Sequence, residues 1–122
     1  MKDSLSPGVE IERALTVTDE MAPRHLPMKV LSTPSMVELI EGVCLAAMLP
    51  HLDSGETSVG THISISHTGP AASGEAVRIR ARLTKREKRR VTFEVEVLSP
   101  RGPISQGTHE RAVVDLSRFA GR

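Results

Sequence analysis

A carboxylate and an imidazole can share general-base work when the fold brings them together, and this chain offers such a pair. Glu41 lies inside an apolar run from Met36 to Leu49. On a helix its neighbours three and four residues away are Val37, Glu38, Cys44 and Leu45. A carboxylate on a buried helix carries a desolvation cost, so it is usually paired or functional. Burial would raise its pKa and make it a better base near neutrality. The alternative is a Glu41 that faces a solvent gap or a partner chain. His67 closes an alternating segment and shares parity with Val59, Ile63 and Ile65, so it points inward, whereas His62 has the opposite parity. A bland strand-end role, bonded to a loop carbonyl, fits His67 alone.

Thr33 is the third candidate. Thr33-Pro34 reads as a helix start with Thr as N-cap, which by itself would explain the residue. It stands eight residues before Glu41, about 12 Å along a helix axis, so the two should not touch directly. Thr33 and the free N–H groups of a helix start could still meet the far side of a ligand. Gly60 opens the alternating segment; a strand glycine admits either a close ligand or a simple bulge. Arg78, Arg80 and Arg82 share one strand face, and Lys85 to Arg90 forms a basic hairpin tip. These suit a solvated, edge-protecting surface, the phosphates of coenzyme A, or, less well, RNA.

The elements that must position these groups are legible in the pattern. Val9 to Val17 reads as a strand. Thr18 to Ser32 is a long loop with Pro23 and Pro27, of the kind that often binds or covers a ligand. A helix follows from Thr33 to Pro50, apolar nearly all round and therefore expected to be buried. Ser58 to His67 alternates, with Val59, Thr61, Ile63 and Ile65 on one face. Glu75 to Lys85 puts Val77, Ile79, Ala81 and Leu83 inward. Arg89 to Ser99 does the same with Val91, Phe93, Val95 and Val97. Ser99 to Gly102 is a turn before a last strand, Ile104 to Asp115. Successive alternating strands form an antiparallel meander, and one apolar helix against it is an α+β layer architecture. A curled antiparallel sheet wrapped around one central helix is the hotdog fold.

Composition narrows the function classes. With 122 residues, one domain over 1–122 is expected. A chain this short has little volume for a private pocket beside its core, which points to a homodimer. Aromatics are 2% with no Trp or Tyr, a poor surface for stacking bases, and the net charge is +1; no nucleic-acid partner is expected. Cys44 is the single cysteine, so neither a disulfide nor a cysteine-based metal site is foreseen. The first residues lack an apolar signal-peptide core, and the longest apolar stretch, broken by Glu38 and Glu41, reads as too short for a bilayer. No membrane association and a cytoplasmic location follow as expectations.

The chain resembles the fluoroacetyl-CoA thioesterase-like group of hotdog proteins from Leu31 to Asp115. The matching pieces are Ser32-Thr33-Pro34, Leu39-Ile40-Glu41, Pro50-His51-Leu52, Ser58-Val59-Gly60-Thr61-His62, Ser66-His67-Thr68 and Gly107-Thr108-His109-Glu110-Arg111. The resemblance implies that Thr33, Glu41 and His67 are catalytic and that Gly60 and Arg111 lie at the bound thioester. It further implies acyl-CoA hydrolysis by a homodimer with no metal and no cofactor. The fluoroacyl-specific branch covers its pocket with phenylalanines from the loop before the helix. Here that loop has none; Phe93 and Phe119 are the only two in the chain. A short or medium acyl-CoA, without fluoroacetyl specificity, is the expected substrate. The alternative is a non-catalytic hotdog dimer that binds an acyl-CoA or related ligand.

Overall fold

The computed structural model describes residues 1–120, with side chains through 118. The elements are β1 (Glu10–Thr16), α1 (Thr33–Met48), β2 (Glu56–Ile65), β3 (Ala76–Glu87), β4 (Arg90–Ser99), β5 (Gly102–Asp115) and a short α2 (Leu116–Ala120), with single 3-10 turns at Asp19–Met21 and Leu49–His51. The five strands form one open antiparallel sheet in the order β1-β3-β4-β5-β2. The strands of the sequence reading recur with ends shifted by a few residues.

α1 lies across the sheet on a stripe of Met36, Ile40, Val43, Cys44, Ala47 and Met48, spaced three and four apart. It meets Val77, Ile79, Ala81 and Leu83 of β3 and Val91, Phe93, Val95 and Val97 of β4 in one aliphatic core. Leu5 joins this core fully buried, although the N-terminal residues show no strand or helix pattern. The helix is not buried all round, as its composition suggested. The sheet covers only one of its faces, and Glu38 and Gly42 are exposed on the other. Nor is the stretch too short for a bilayer by length alone: Thr33–His51 covers 19 residues at mean hydropathy 1.2. Its apolar stripe, however, is the side packed on the sheet.

Two local features set the positions of the site residues. The N-cap of α1 is Ser32, not Thr33: the Ser32 Oγ accepts from the Ser35 N–H at 3.2 Å. Thr33 becomes the first helical residue, and its hydroxyl is relieved of capping. In β2 a bulge places Thr61 as an extra residue between Gly60 and His62. The inward parity therefore switches along the strand. Ser58 is buried and Val59 exposed before the bulge, whereas Ile63 and Ile65 pack on the core after it. The single-face alternation read from Val59 to Ile65 is corrected accordingly.

His67 lies just past β2 rather than inside it, on a segment held from three sides. The Ser66 and Thr68 N–H groups donate to the Gln106 and Ile104 carbonyls of the strand β5, at 3.0 and 2.8 Å. The Leu31 N–H donates to the Ala71 carbonyl at 2.8 Å, tying the segment to the start of α1. Arg101 grips Glu75 through both guanidinium ends at 2.8 Å and also donates to the Pro70 carbonyl at 3.0 Å. The Arg101 bonds, with one from the Ala72 N–H, pull the Glu75 carboxyl down to about 2.

Candidate active site

β3 and β4 present apolar walls to α1, but the inward row of β5 runs Ser105, His109, Arg111 and Val113, three of the four polar and all buried. Beside it the inward positions of β2 are Ser58 and Gly60. The sheet thus turns polar at its β5–β2 side, where Glu41 descends from α1.

Arg111 organises this corner. Its side chain is only 6% exposed, and a buried guanidinium must find acceptors for its N–H groups. Nε donates to Ser58 Oγ at 2.8 Å, Nη2 to the Ser58 carbonyl at 2.9 Å, and Nη1 to His109 Nε2 at 3.2 Å. Nη1 also stands 3.6 Å from Glu41 Oε2, the one carboxylate paired with it among the described residues. Burial pulls Arg111 down from its ordinary value, and the charge of Glu41 opposes that shift. His109 is likewise held below its usual range, first by burial and then by Arg111, against the His62 carbonyl and Glu41. Cys44, one helical turn from Glu41, has its thiol pushed up to about 12 by burial and is inert as a nucleophile.

Gly60 earns its place sterically. A Cβ at this position would overlap Glu41 Oε2 and press on His109 Cε1. The missing side chain lets the carboxylate lie directly against the β2 backbone. The Glu41 side chain is 41% exposed, so the deep burial expected from the apolar run is not realised. The reason is the one-sided cover of α1.

The second polar pair lies at the start of the helix. Thr33 Oγ1 and His67 Nδ1 share a hydrogen bond of 2.7 Å across 34 residues of sequence. His67 is oriented by this threonine and not by Glu41, as the pairing of carboxylate with imidazole had suggested; no bond or ion pair joins Glu41 to His67 among the described residues. The helical rise between positions 33 and 41 keeps them about 12 Å apart along the axis. Among the described residues no group of three or more His, Cys, Asp or Glu side chains is placed to hold a metal ion.

The family model for the fluoroacetyl-CoA-specific thioesterase matches residues 11–117. The chain belongs to this family. The fluoroacetyl-CoA thioesterase of Streptantibioticus cattleyicolor is 35% identical over 128 residues, covering 98% of this chain and 92% of that relative. A solved structure of a fluoroacetyl-CoA thioesterase matches with a TM-score of 0.91 at 34% identity, over 98% of this chain and 95% of the other. A hot-dog-like protein from Thermanaerovibrio acidaminovorans matches in fold, with a TM-score of 0.87 at 22% identity over 95% and 88% of the two chains. This family member therefore has the hotdog fold and is a thioester hydrolase acting on acyl-CoA. That answers the alternative of a purely binding dimer.

Other signals resolve differently. On the outer sheet face Arg80 Nε donates to Glu12 at 2.5 Å and Arg80 pairs with Glu96 at 3.5 Å, while Arg78 stands 3.9 Å from Glu12. At the hairpin tip Arg86 donates to the Lys2 and Leu5 carbonyls, and Arg89 to the Val113 carbonyl and Glu56. Most of these cations have structural partners. The sequence reading missed His109 as a site residue. The signal was available in the polar inward row of β5, two residues before Arg111.

Gly60→Ala should leave the fold intact, because the clashing atom is the free end of a side chain, yet displace Glu41 from the β2 backbone. Acyl-CoA hydrolysis should fall by about tenfold or more, on the scale of a small misplacement of a reacting group. Turnover equal to wild type in a folded Gly60→Ala protein would contradict this placement.

Proposed function

We propose that this thioesterase hydrolyses several short or medium acyl-CoAs, with Thr33, Glu41 and His67 as its catalytic group and Gly60 and Arg111 beside the bound thioester. The observation that carries the reading is the Thr33–His67 hydrogen bond. Both side chains are free of structural duty, one because Ser32 caps the helix and the other because backbone bonds of its neighbours hold its segment. In hydrolysis the oxygen of water ends on the acyl carbon, the C–S bond breaks, and the departing sulfur takes up a proton. Glu41 supplies the anionic oxygen at the acyl carbon, as nucleophile or as base toward water. Thr33 and His67 offer an O–H and an imidazole N–H for the charge that develops on the carbonyl oxygen or on sulfur.

The breadth of substrate rests on the loop before α1. A solved structure of the fluoroacetyl-CoA-specific relative, with an alanine in place of a phenylalanine, is in complex with fluoroacetate and CoA. In this chain residues 18–32 hold no phenylalanine; the cover offers Met21, which packs on the core, and the exposed Leu26 and Met28. Phe93 is deep in the core, and the side chain of Phe119 lies outside the described residues. Methionine adapts to its neighbours rather than forming a rigid gate. Selection by acyl size alone through such a cover is worth about 1–3 kcal/mol per methylene.

The proposal includes a homodimer, in the cytoplasm, joined through the free edge of β2. Within one chain the Thr33–His67 pair and the Glu41–Arg111 pair are too far apart along the helix to grip one thioester. Antiparallel pairing of β2 with a second copy would turn the Gly60 half of one strand toward the His67 end of the other. Such pairing would also cover an unpaired strand edge.

Glu41→Gln and His67→Ala should each lower kcat/KM by about a hundredfold or more, the usual scale for proton-transferring groups. Across acetyl-, fluoroacetyl-, butyryl- and branched acyl-CoA the wild type should show no large fluoroacetyl preference. Wild-type rates in both folded variants would refute the residue roles, and a fluoroacetyl preference above about a thousandfold would refute the reading of the loop.

Mixing the inactive Glu41→Gln and His67→Ala proteins after subunit exchange should restore part of the activity in hybrid dimers. An active monomer in light scattering, or mixtures as dead as their components, would overturn the shared site.

A further inference from the structure

His109 sits between two fixed partners that together determine where its proton is. Its Nδ1 lies 2.8 Å from the His62 carbonyl oxygen, which can only accept, so Nδ1 carries the hydrogen. Its Nε2 lies 3.2 Å from Arg111 Nη1, which can only donate, so Nε2 presents a lone pair. One tautomer satisfies both bonds. The imidazolium satisfies neither the geometry nor the charge, since it would set an N–H against the N–H of a cation. His109 is 1% exposed, so both contacts are shielded from bulk solvent.

We infer that His109 is a positioning residue: a neutral imidazole, locked in its Nδ1–H tautomer, that aims the Arg111 guanidinium at Glu41. The inference rests on the reading of Glu41 and Arg111 as site residues. Ser58 takes Nε and Nη2, and these two bonds leave Nη1 to be placed by another group. The His109 lone pair takes the third direction and leaves Nη1 at 3.6 Å from Glu41 Oε2. The ring also fills the space next to Gly60 into which the carboxylate would otherwise relax. The charged groups around the ring are few. Arg111 and Glu110 come from its own strand and Glu41 from α1. β2 supplies the His62 carbonyl, and the cross-strand neighbour on β4 is the uncharged Phe93. Burial and Arg111 disfavour the charged ring, in agreement with the tautomer the bonds require. The same surroundings make the arrangement sensitive to acid. Below the ordinary histidine range an unfolded chain takes up a proton that the folded one resists, so this contact weakens the protein as pH falls and is fully favourable above that range.

Nitrogen-15 correlation spectra of the intact protein test the tautomer without reference to activity. His109 should report a neutral ring with hydrogen on Nδ1 at neutral pH. Hydrogen on Nε2, or a charged ring, would overturn the inference. The functional arm uses substitutions. His109→Leu should lower kcat/KM by about tenfold or more. His109→Gln, whose amide oxygen can occupy the Nε2 position, should recover most of that loss at similar thermal stability. In an Arg111→Met background His109→Leu should cost nothing further, because its effect runs through that guanidinium. Equal losses from Leu and Gln, or independent effects of positions 109 and 111, would contradict the positioning role. Full activity in Arg111→Met would instead sink the underlying reading of the site, whatever the tautomer of His109.

Discussion

A guanidinium taken almost wholly out of water is the constraint around which this molecule's site is built. Arg111 cannot shed its charge at ordinary pH, so each of its N–H directions must meet an acceptor or the desolvation cost stands uncompensated. The chain gives each of its three nitrogens a hydrogen-bond acceptor, from two oxygens of Ser58 and one imidazole lone pair, and sets one carboxylate beside its charge. These groups come from three separate elements, β2, β5 and α1. Ser58 requires β2 to run inward at that position, His109 requires the polar row of β5, and Glu41 requires α1 to cross above a residue without a side chain. Removing one partner would leave the charge short of an acceptor, the costly direction for a buried ion.

The rest of the fold serves that corner and its companion at the helix start. The aliphatic core of β3, β4 and α1 fixes the height of the helix over the sheet, and so the depth at which Glu41 meets Gly60. Ser32 ends the helix with its own side chain and releases Thr33 to bond His67. The Glu75–Arg101 clamp and the backbone bonds to β5 hold the segment on which His67 rides. The two polar pairs are thereby fixed independently, one at the start of α1 and one at its middle.

Much of this was legible in the sequence because period-two alternation survives translation into strands. Val77 to Leu83 and Val91 to Val97 point where their spacing says, and β3, β4 and β5 follow one another as the expected meander; β2 does not, since it pairs with β5 at the far edge rather than with its successor β3. Thr33, Glu41, His67 and Gly60 were legible from residue type and position and Arg111 from the family resemblance, and they lie in two clusters. What spacing could not show were exceptions to periodicity. The bulge at Thr61 reverses the inward face of β2; the strand glycine Gly60 admitted a bulge, but spacing could not show that the face switches there. The choice of Ser32 over Thr33 as cap depends on a backbone angle, not on residue type, since both are good caps. Leu5 joins the core from a segment with no regular pattern. His109 was visible as part of a motif, yet its role depends on which groups face its two nitrogens, which is a property of three strands at once. The arginines of β3 looked like a phosphate site because their acidic partners, Glu12 and Glu96, lie on other strands.

If one thioester is gripped by the Glu41–Arg111 corner and the Thr33–His67 pair, a bound substrate analogue must touch both. A crystal structure of the protein with a non-hydrolysable acyl-CoA analogue, its thioester sulfur replaced by a methylene group, tests this most directly. The account places the acyl carbonyl carbon against the Glu41 carboxylate above Gly60, with a Thr33–His67 pair on the other side of the same carbonyl. An analogue seated away from Glu41, or one that touches Glu41 with no Thr33–His67 pair from either subunit in reach, would contradict it.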